Sequence, residues 1–275
     1  MSPTIRETLA EAERRVPRLE AELLLAHALA CERSHLLAWP ENRLKDAELE
    51  RFQALLAERV RGVPVAYLLG RREFWSLELE VSPATLVPRP ETETLVERAL
   101  ARIPADRPCR VLDAGTGSGA IALAIASERP RAQVFALDRS REALAVAARN
   151  RDRLGLHNLA LIQGDWLAAI APDSLDLLVA NPPYVAESDP HLQQGDLPHE
   201  PRAALVAGPD GLDALRVLLP QAASRLRPGS HVLIEHGHDQ AENAARLARR
   251  AGLGDIRLHR DPAGLPRVLE ARRPS

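Results

Sequence analysis

The chain has 275 residues, 45% of them hydrophobic and 27% charged, and 36 Lys plus Arg face 38 Asp plus Glu for a formal net charge of −2 at pH 7. That length and apolar content suit one large and one small folded domain and exclude a disordered chain, while the near-neutral charge argues against a protein whose main task is gripping a phosphate backbone. No run of about 18 uncharged apolar residues offers a membrane span, the opening Met1 to Arg15 lacks the order of a signal peptide, and the two cysteines, Cys31 and Cys109, exclude a disulfide framework, so a cytoplasmic protein is expected.

Residues 4 to 70 carry helical spacing and no convincing strand. Leu19, Leu23, Leu24 and His27 recur at three- and four-residue steps, as do Leu49, Phe52, Leu56 and Val60. A small helical bundle is expected over residues 1–70, with Pro17 in the first turn of a helix and a break at Trp39 to Asn42. Beyond Arg71, the apolar residues Leu77, Leu79 and Val81 alternate with Ser76, Glu78 and Glu80, which predicts a strand in a hairpin. Ser82 to Pro90 holds three prolines and reads as an ordered connector, so 71–90 is assigned to hairpin and linker.

Residues 91–275 form the third segment. A helix towards Ile103 is followed by alternating strands and helices, with strands expected at Arg110 to Ala114, Gln133 to Leu137, Leu159 to Gln163, Leu175 to Ala180, His231 to His236, Asp255 to His259 and Arg267 to Ala271. Helices are expected at Ala120 to Glu128, Arg141 to Leu154, Asp213 to Leu226 and Gln240 to Ala251. Helical crossovers between the first five strands imply an α/β fold with a seven-stranded, mostly parallel, doubly wound sheet. The last two strands, joined by a short Pro/Gly link, are expected to pair antiparallel at the edge.

Four loops at strand ends carry the chemistry. The first strand enters Asp113-Ala114-Gly115-Thr116-Gly117-Ser118-Gly119, where glycines permit a tight turn and close approach of a ligand to a helix amino terminus. Asp113 can brace this loop or meet a cofactor ammonium. The second strand ends at Asp138, nineteen residues after Gly119, where a carboxylate can accept from both ribose hydroxyls or cap the helix near Ser140. After the third strand, Asp165 can accept from an adenine amino group, and Trp166 can border the base or fill the core.

The fourth strand ends in Asn181-Pro182-Pro183-Tyr184, the sharpest feature of the chain. Two prolines stiffen the backbone and present carbonyls without N–H donors, and the Asn side-chain carbonyl can converge with a proline carbonyl on one NH2 group. Tyr184 offers an aromatic face to a planar group. Such a bay suits a conjugated NH2 substrate, whose delocalised lone pair must be aimed at an electrophile while oxygen acceptors stabilise the developing positive charge.

In this order the glycine loop, Asp138, Asp165-Trp166 and Asn181 to Tyr184 resemble a class I, Rossmann-like S-adenosylmethionine-dependent methyltransferase acting on an amide or exocyclic amine. Arg72 to Trp75, Val81 to Glu93, Asp189 to Leu192, His199-Glu200-Pro201 and Glu235-His236-Gly237 extend the resemblance over nearly the whole chain to the HemK/PrmC family of release factor glutamine methyltransferases. The resemblance implies methylation of the glutamine side-chain amide in the Gly-Gly-Gln loop of bacterial peptide chain release factors. It places the cofactor, S-adenosyl-L-methionine, on Gly115, Thr116, Gly117, Ser118, Gly119, Asp138, Trp166 and Asn181. Asn181, Pro182, Pro183 and Tyr184 would hold the glutamine, with Asn181, Pro182 and Tyr184 as the catalytic group.

The family frequently has Thr at the position of Ser118, a change that keeps the hydroxyl. The helical domain and hairpin would help dock the protein substrate. The resemblance sets Phe74 near the substrate pocket, although a core role in the hairpin is also open to it, and Arg89 with Glu91 can be a salt-bridged brace. Glu235 and His236 should end the fifth strand beside the cofactor site. No histidine cluster has metal-ligand spacing, so no metal is expected. A monomer without nucleic-acid or membrane partners is expected. Methylation of a large-subunit ribosomal protein, adenine amino methylation of nucleic acid, and a non-enzymatic cofactor-binding scaffold are the competing readings.

Overall fold

A computed structural model of the chain describes residues 2–275. The described residues divide into two compact units, one made of residues up to Arg71 with Gln193–His199 and the other of Arg72–Leu192 with Glu200–Ser275.

The first unit is built on five helices: α1 (Ile5–Ala12), α2 (Arg18–Leu29), α3 (Arg33–Ala38), α4 (Asp46–Val60) and α5 (Val65–Leu69). Helix α1 starts where the Thr4 hydroxyl accepts from the Glu7 N–H at 3.2 Å and the Glu7 carboxylate accepts from the Thr4 N–H at 2.8 Å, a reciprocal box that satisfies two amino-terminal donors. Pro17 stands immediately before α2, and Ala30, in the left-handed region, ends it. Ile5, Leu9, Leu24, Leu25, Leu36, Phe52 and Leu56 meet in one apolar cluster, as the helical spacing predicts. The 193–199 segment joins this unit through Asp196, whose carboxylate accepts from the Arg59 guanidinium at 2.6 Å, and Glu20 accepts from the same guanidinium at 2.6 Å.

From Arg72 onwards the second unit opens with a hairpin, whose strands β1 (Arg71–Phe74) and β2 (Leu77–Glu80) are turned by Trp75 and Ser76, both at positive φ. The Trp75 indole N–H donates to Glu128 at 3.0 Å, and Phe74 is buried in the core. The remaining elements follow as α6 (Glu93–Leu100), β3 (Arg110–Ala114), α7 (Ala120–Glu128), β4 (Gln133–Asp138), α8 (Arg141–Leu154), β5 (Leu159–Gln163) and β6 (Leu175–Ala180). The series ends with α9 (Arg202–Leu205), α10 (Asp213–Arg225), β7 (Leu226–Glu235), α11 (Ala241–Arg250), β8 (Gly254–Arg260) and β9 (Pro266–Arg272).

The seven strands of this sheet lie in the order β5-β4-β3-β6-β7-β9-β8, parallel from β5 to β7 and antiparallel at the β7–β9 and β9–β8 pairs. The sheet is thus the mostly parallel, doubly wound one expected, with α6 and α7 in the apolar layer on one side and α10 and α11 in the other. One detail differs from expectation. Residues 164–174, between β5 and β6, are not helical, because Trp166 and Asp173 hold positive φ and interrupt any helical run. The last two strands pair antiparallel at the edge as expected, with β9 between β7 and β8 and β8 outermost.

The β3–β6 boundary is where the strand order reverses, with β4 and β5 on one side and β7 on the other. Crevices at such a switch point, beyond the carboxyl ends of the strands, are where ligands bind in open α/β sheets.

Candidate active site

Asp113, wholly buried at the end of β3, fixes the glycine loop from below. Its Oδ2 accepts from the Thr116 hydroxyl at 2.6 Å and from the Ala122 N–H at 3.3 Å. Burial pushes its carboxyl up to about 7, against the pull of those two donors, and Oδ1 has no partner. Of the two roles open to Asp113, it is the bracing one that these contacts realise. Gly119 begins α7 at φ +88°, a conformation that suits glycine, and a Cβ there would stand 2.9 Å from Leu123 Cδ1. Its small size lets α7 start directly against its own first turn.

Asp138 at the end of β4 ties two loops together. One carboxylate oxygen accepts from the Gly117 N–H and the other from the Ser140 N–H, each at 2.9 Å. The Ser140 hydroxyl in turn caps α8 by accepting from the Ala143 N–H at 3.1 Å. Capping of the next helix therefore falls to Ser140, and Asp138 remains half-buried at the wall of the cavity. Past β5, Trp166 adopts φ +46° and lays its ring beside Gly115, whose added Cβ would lie 3.8 Å from Trp166 Cζ3.

The Asn181 to Tyr184 corner is fixed by residues far away in sequence. The Asn181 side-chain N–H donates to the Thr92 hydroxyl oxygen at 3.1 Å, and Gln240 Nε2 donates to the Tyr184 carbonyl at 2.9 Å. Gly211, at φ +72°, approaches that carbonyl so closely that a Cβ would stand 2.2 Å from it. The Tyr184 hydroxyl lies 3.5 Å from Glu235 Oε1. Burial pushes the Glu235 carboxyl up to about 7, with Thr92, Arg267 and Tyr184 pulling it down and Glu91 reinforcing the rise. Burial and the Glu235 charge also push the Tyr184 phenol up, so it stays protonated. Arg89 pairs with the fully buried carboxylate of Glu200, which also accepts from the Val87 N–H at 3.0 Å. Arg89 is thus a brace, with Glu200 rather than Glu91 as its partner.

These elements enclose a cavity of about 530 Å³, within the range of small-molecule and cofactor sites. Its wall includes Gly115, Thr116, Gly117, Ser118, Asp138, Asp165, Trp166, Asn181 and Pro183, so most of the residues expected from sequence converge here. Gly119, Pro182, Tyr184 and Phe74 are not on the wall: Gly119 caps α7, Pro182 is buried, Tyr184 turns towards Glu235, and Phe74 is a core residue. The wall also takes in Thr85, Leu86 and Thr92 from the Val81 to Glu93 stretch, for which the sequence suggests no binding role, and Val206, Asp213 and Val217, which no local motif announced. A nucleoside cofactor fits the donor set. Gly117 turns a bare face to open space, since a Cβ there would meet nothing within 4 Å, and the Asp138 carboxylate stands on the same wall as an acceptor. Among the described residues no His, Cys, Asp or Glu cluster could hold a metal ion, and no helix is long and apolar enough to cross a membrane.

An α/β sheet with this strand order and this cavity defines a methyltransferase fold. It is shared with a methyltransferase from Pyrococcus furiosus, with TM-score 0.56 and 17% identity over 81% of this chain and 98% of that one. A ribosomal protein L11 methylase from Lactobacillus delbrueckii has TM-score 0.51 and 22% identity over 71% of this chain and 84% of that one. Family models described as "PrmC N-terminal domain" and "Methyltransferase domain" match residues 4–70 and 105–251. Curated proteins named release factor glutamine methyltransferase are 51% identical in Xylella fastidiosa, covering 97% of both chains, and 46% identical in Escherichia coli, covering 93% of this chain and 92% of the other. The chain belongs to the release factor glutamine methyltransferase family.

Proposed function

We propose that this enzyme transfers a methyl group from S-adenosyl-L-methionine to the side-chain amide nitrogen of the glutamine in the Gly-Gly-Gln motif of bacterial peptide chain release factors. The observation that carries this reading is the Asn181 amide, which commits its nitrogen to Thr92 and keeps its carbonyl free of any partner among the described residues, on the wall of the cavity that also holds the glycine loop. The names of the relatives favour release factors over a ribosomal protein. A net charge of −2 supports a protein rather than a nucleic-acid substrate. A monomer acting in the cytoplasm completes the proposal, with residues 1–70 as a substrate-docking domain, 71–90 as hairpin and linker, and 91–275 as the catalytic domain.

Gly115, Thr116, Gly117, Ser118, Gly119, Asp138 and Trp166 would hold the cofactor, which supplies an activated methyl group on a sulfonium. The Asn181 carbonyl and the Pro182 carbonyl would accept the two N–H bonds of the glutamine amide, with Pro183 and Tyr184 completing the corner. An amide nitrogen is a poor nucleophile because its lone pair is delocalised. Acceptors aimed at both hydrogens favour a pyramidal nitrogen and stabilise the positive charge it gains, and the surplus proton then passes to water. No side chain has to act as a strong base beforehand, which fits a Tyr184 phenol whose ionisation is suppressed.

Incubating the purified protein and a release factor with methyl-labelled cofactor tests the reading. Label should appear on the glutamine of the Gly-Gly-Gln tryptic peptide as a single methyl group. A peptide without it removes the proposal.

A further inference from the structure

Trp166 stands at φ +46°, a left-handed backbone that a bulky side chain adopts only where its surroundings enforce it. Its ring is on the cavity wall beside Gly115, so this strained conformation decides where an aromatic face meets the cofactor under the function proposed above, on which this inference rests. Local structure does not compel it, since residues 164–174 belong to no helix or strand.

The enforcement comes from α10. Leu167, wholly buried, gives its backbone N–H to Gln221 Oε1 at 2.8 Å, and its carbonyl accepts from Arg225 Nε at 3.2 Å. Both backbone polar groups of the residue next to Trp166 are thus held by side chains one turn apart on the same helix. A backbone N–H can only donate, so it selects the oxygen end of the Gln221 amide. Further along, the Asp173 and Ser174 N–H groups donate to the Ser224 and Arg225 carbonyls at 3.3 and 2.9 Å, which ties the far end of the loop to the last turn of α10.

Asp213, Val217, Gln221 and Arg225 follow at four-residue steps, so each neighbours the next along the helix surface. The first two are on the cavity wall, and the last two grip the loop that carries Trp166. One helix therefore sets the place of both.

We propose that Gln221 is a positioning residue for the cofactor: through the Leu167 backbone it holds Trp166 in its left-handed conformation and keeps the ring on the cavity wall. Arg225 secures the other side of the same residue. Neither side chain is among those on the wall, so their effect on the cofactor passes through Trp166.

Gln221→Met keeps the length of the side chain and removes the acceptor. Affinity of the purified protein for S-adenosylhomocysteine, measured by calorimetry, should weaken at least about fivefold, while kcat at saturating S-adenosyl-L-methionine and KM for the release factor stay within about threefold of wild type. Gln221→Glu should bind within about twofold of wild type, since a carboxylate oxygen accepts the same N–H. Trp166→Ala should weaken binding about tenfold or more, the scale of an aromatic platform against a base.

In the Trp166→Ala background, Gln221→Met should cost less than about twofold, because the ring it positions is gone. A residue that served the stability of the fold alone would cost the same in both backgrounds. If the methionine variant does not fold, Arg225→Met, which takes the guanidinium from the Leu167 carbonyl, carries the same comparison. Wild-type affinity in Gln221→Met or in Trp166→Ala, a glutamate variant as weak as the methionine one, or an equal loss with and without the Trp166 ring overturns the inference. A wild-type protein that binds S-adenosylhomocysteine but leaves the release factor unmethylated overturns instead the function on which it rests.

Discussion

The side-chain amide of Asn150, buried in α8 at 0% exposure, donates to the Ser118 carbonyl at 3.0 Å and so gives the glycine loop a hold in addition to that of Asp138. The same amide donates to the Glu80 carbonyl at 2.9 Å and accepts from the Glu80 N–H at 2.6 Å. One side chain therefore joins the loop that would carry the cofactor to the strand β2 of the hairpin.

Replacing Asn150 with Ala should leave the buried Ser118 carbonyl and the half-buried Glu80 backbone groups short of partners, at a cost of about 2 to 3 kcal/mol in stability. Because the loop loses its lateral support, affinity for S-adenosylhomocysteine should also weaken by at least about threefold. Denaturant unfolding and calorimetry measure the two effects. An alanine variant with wild-type stability and affinity would show that the bond is incidental.

Gly211 makes a sharper steric claim. Its φ of +72° and the 2.2 Å separation between a built Cβ and the Tyr184 carbonyl mean that Gly211→Ala cannot be absorbed by a side-chain adjustment. The left-handed conformation alone costs about 1 to 2 kcal/mol for a residue with a Cβ, and the displaced carbonyl drags the Asn181 to Tyr184 corner with it. Turnover should fall at least about tenfold while cofactor affinity holds, which steady-state kinetics and calorimetry can separate. Unchanged kcat would mean that the corner tolerates movement.

Asp113 sets a pH signature on stability. Burial raises its carboxyl to about 7 in the folded protein, well above the unfolded value of about 3.8. A carboxyl raised in this way contributes its full stability below the unfolded pKa, and that contribution is lost as pH rises through the folded value. Asp113→Asn removes the titration while retaining an acceptor for Thr116 and Ala122. Relative to wild type, the variant should therefore gain stability between pH 5 and pH 8, and thermal melts of the cofactor-free proteins at those two pH values decide it. A constant difference between the two proteins contradicts the assignment.

At the antiparallel end of the sheet, the Glu270 carboxylate accepts from Arg102 at 2.6 Å and lies 2.7 Å from His259 and 3.1 Å from His231. Burial would raise this carboxyl, yet the His259 hydrogen bond and the Arg102 charge hold it below its ordinary value. Its stabilising contribution is thus present above the ordinary carboxylate pKa and fades as pH falls through the lowered one. Glu270→Ala, which removes the buried carboxylate that the solvent-exposed Arg102 and the two histidines share, should cost about 2 kcal/mol at neutral pH, and the cost should shrink in acid. Denaturant unfolding at pH 7 and pH 4 checks both statements.

What the sequence discloses about the site is what lies close together in the chain. The glycine loop, Asp138 and Asn181 to Tyr184 each sit at the end of an apolar strand, so period and loop chemistry suffice to find them. Thr92, Asn150 and Gln240 act across 89, 32 and 56 residues on Asn181, Ser118 and Tyr184 respectively. No local pattern marks a threonine in a proline-rich connector or an asparagine in a helix as the holder of a distant amide or carbonyl. The sheet shows the same limit. The antiparallel ending of β8 and β9 follows from the short link, but the insertion of β9 beside β7 depends on tertiary pairing.

The attachment of Gln193–His199 to the helical unit has a practical consequence for anyone exchanging parts between homologues. A graft cut at residue 71 would transplant Arg59 while abandoning Asp196, and the recipient's own loop would supply whatever its lineage happens to encode there. Chimaeras that carry both stretches of polypeptide should keep the native pairing, and those that carry only the first should inherit a mismatch.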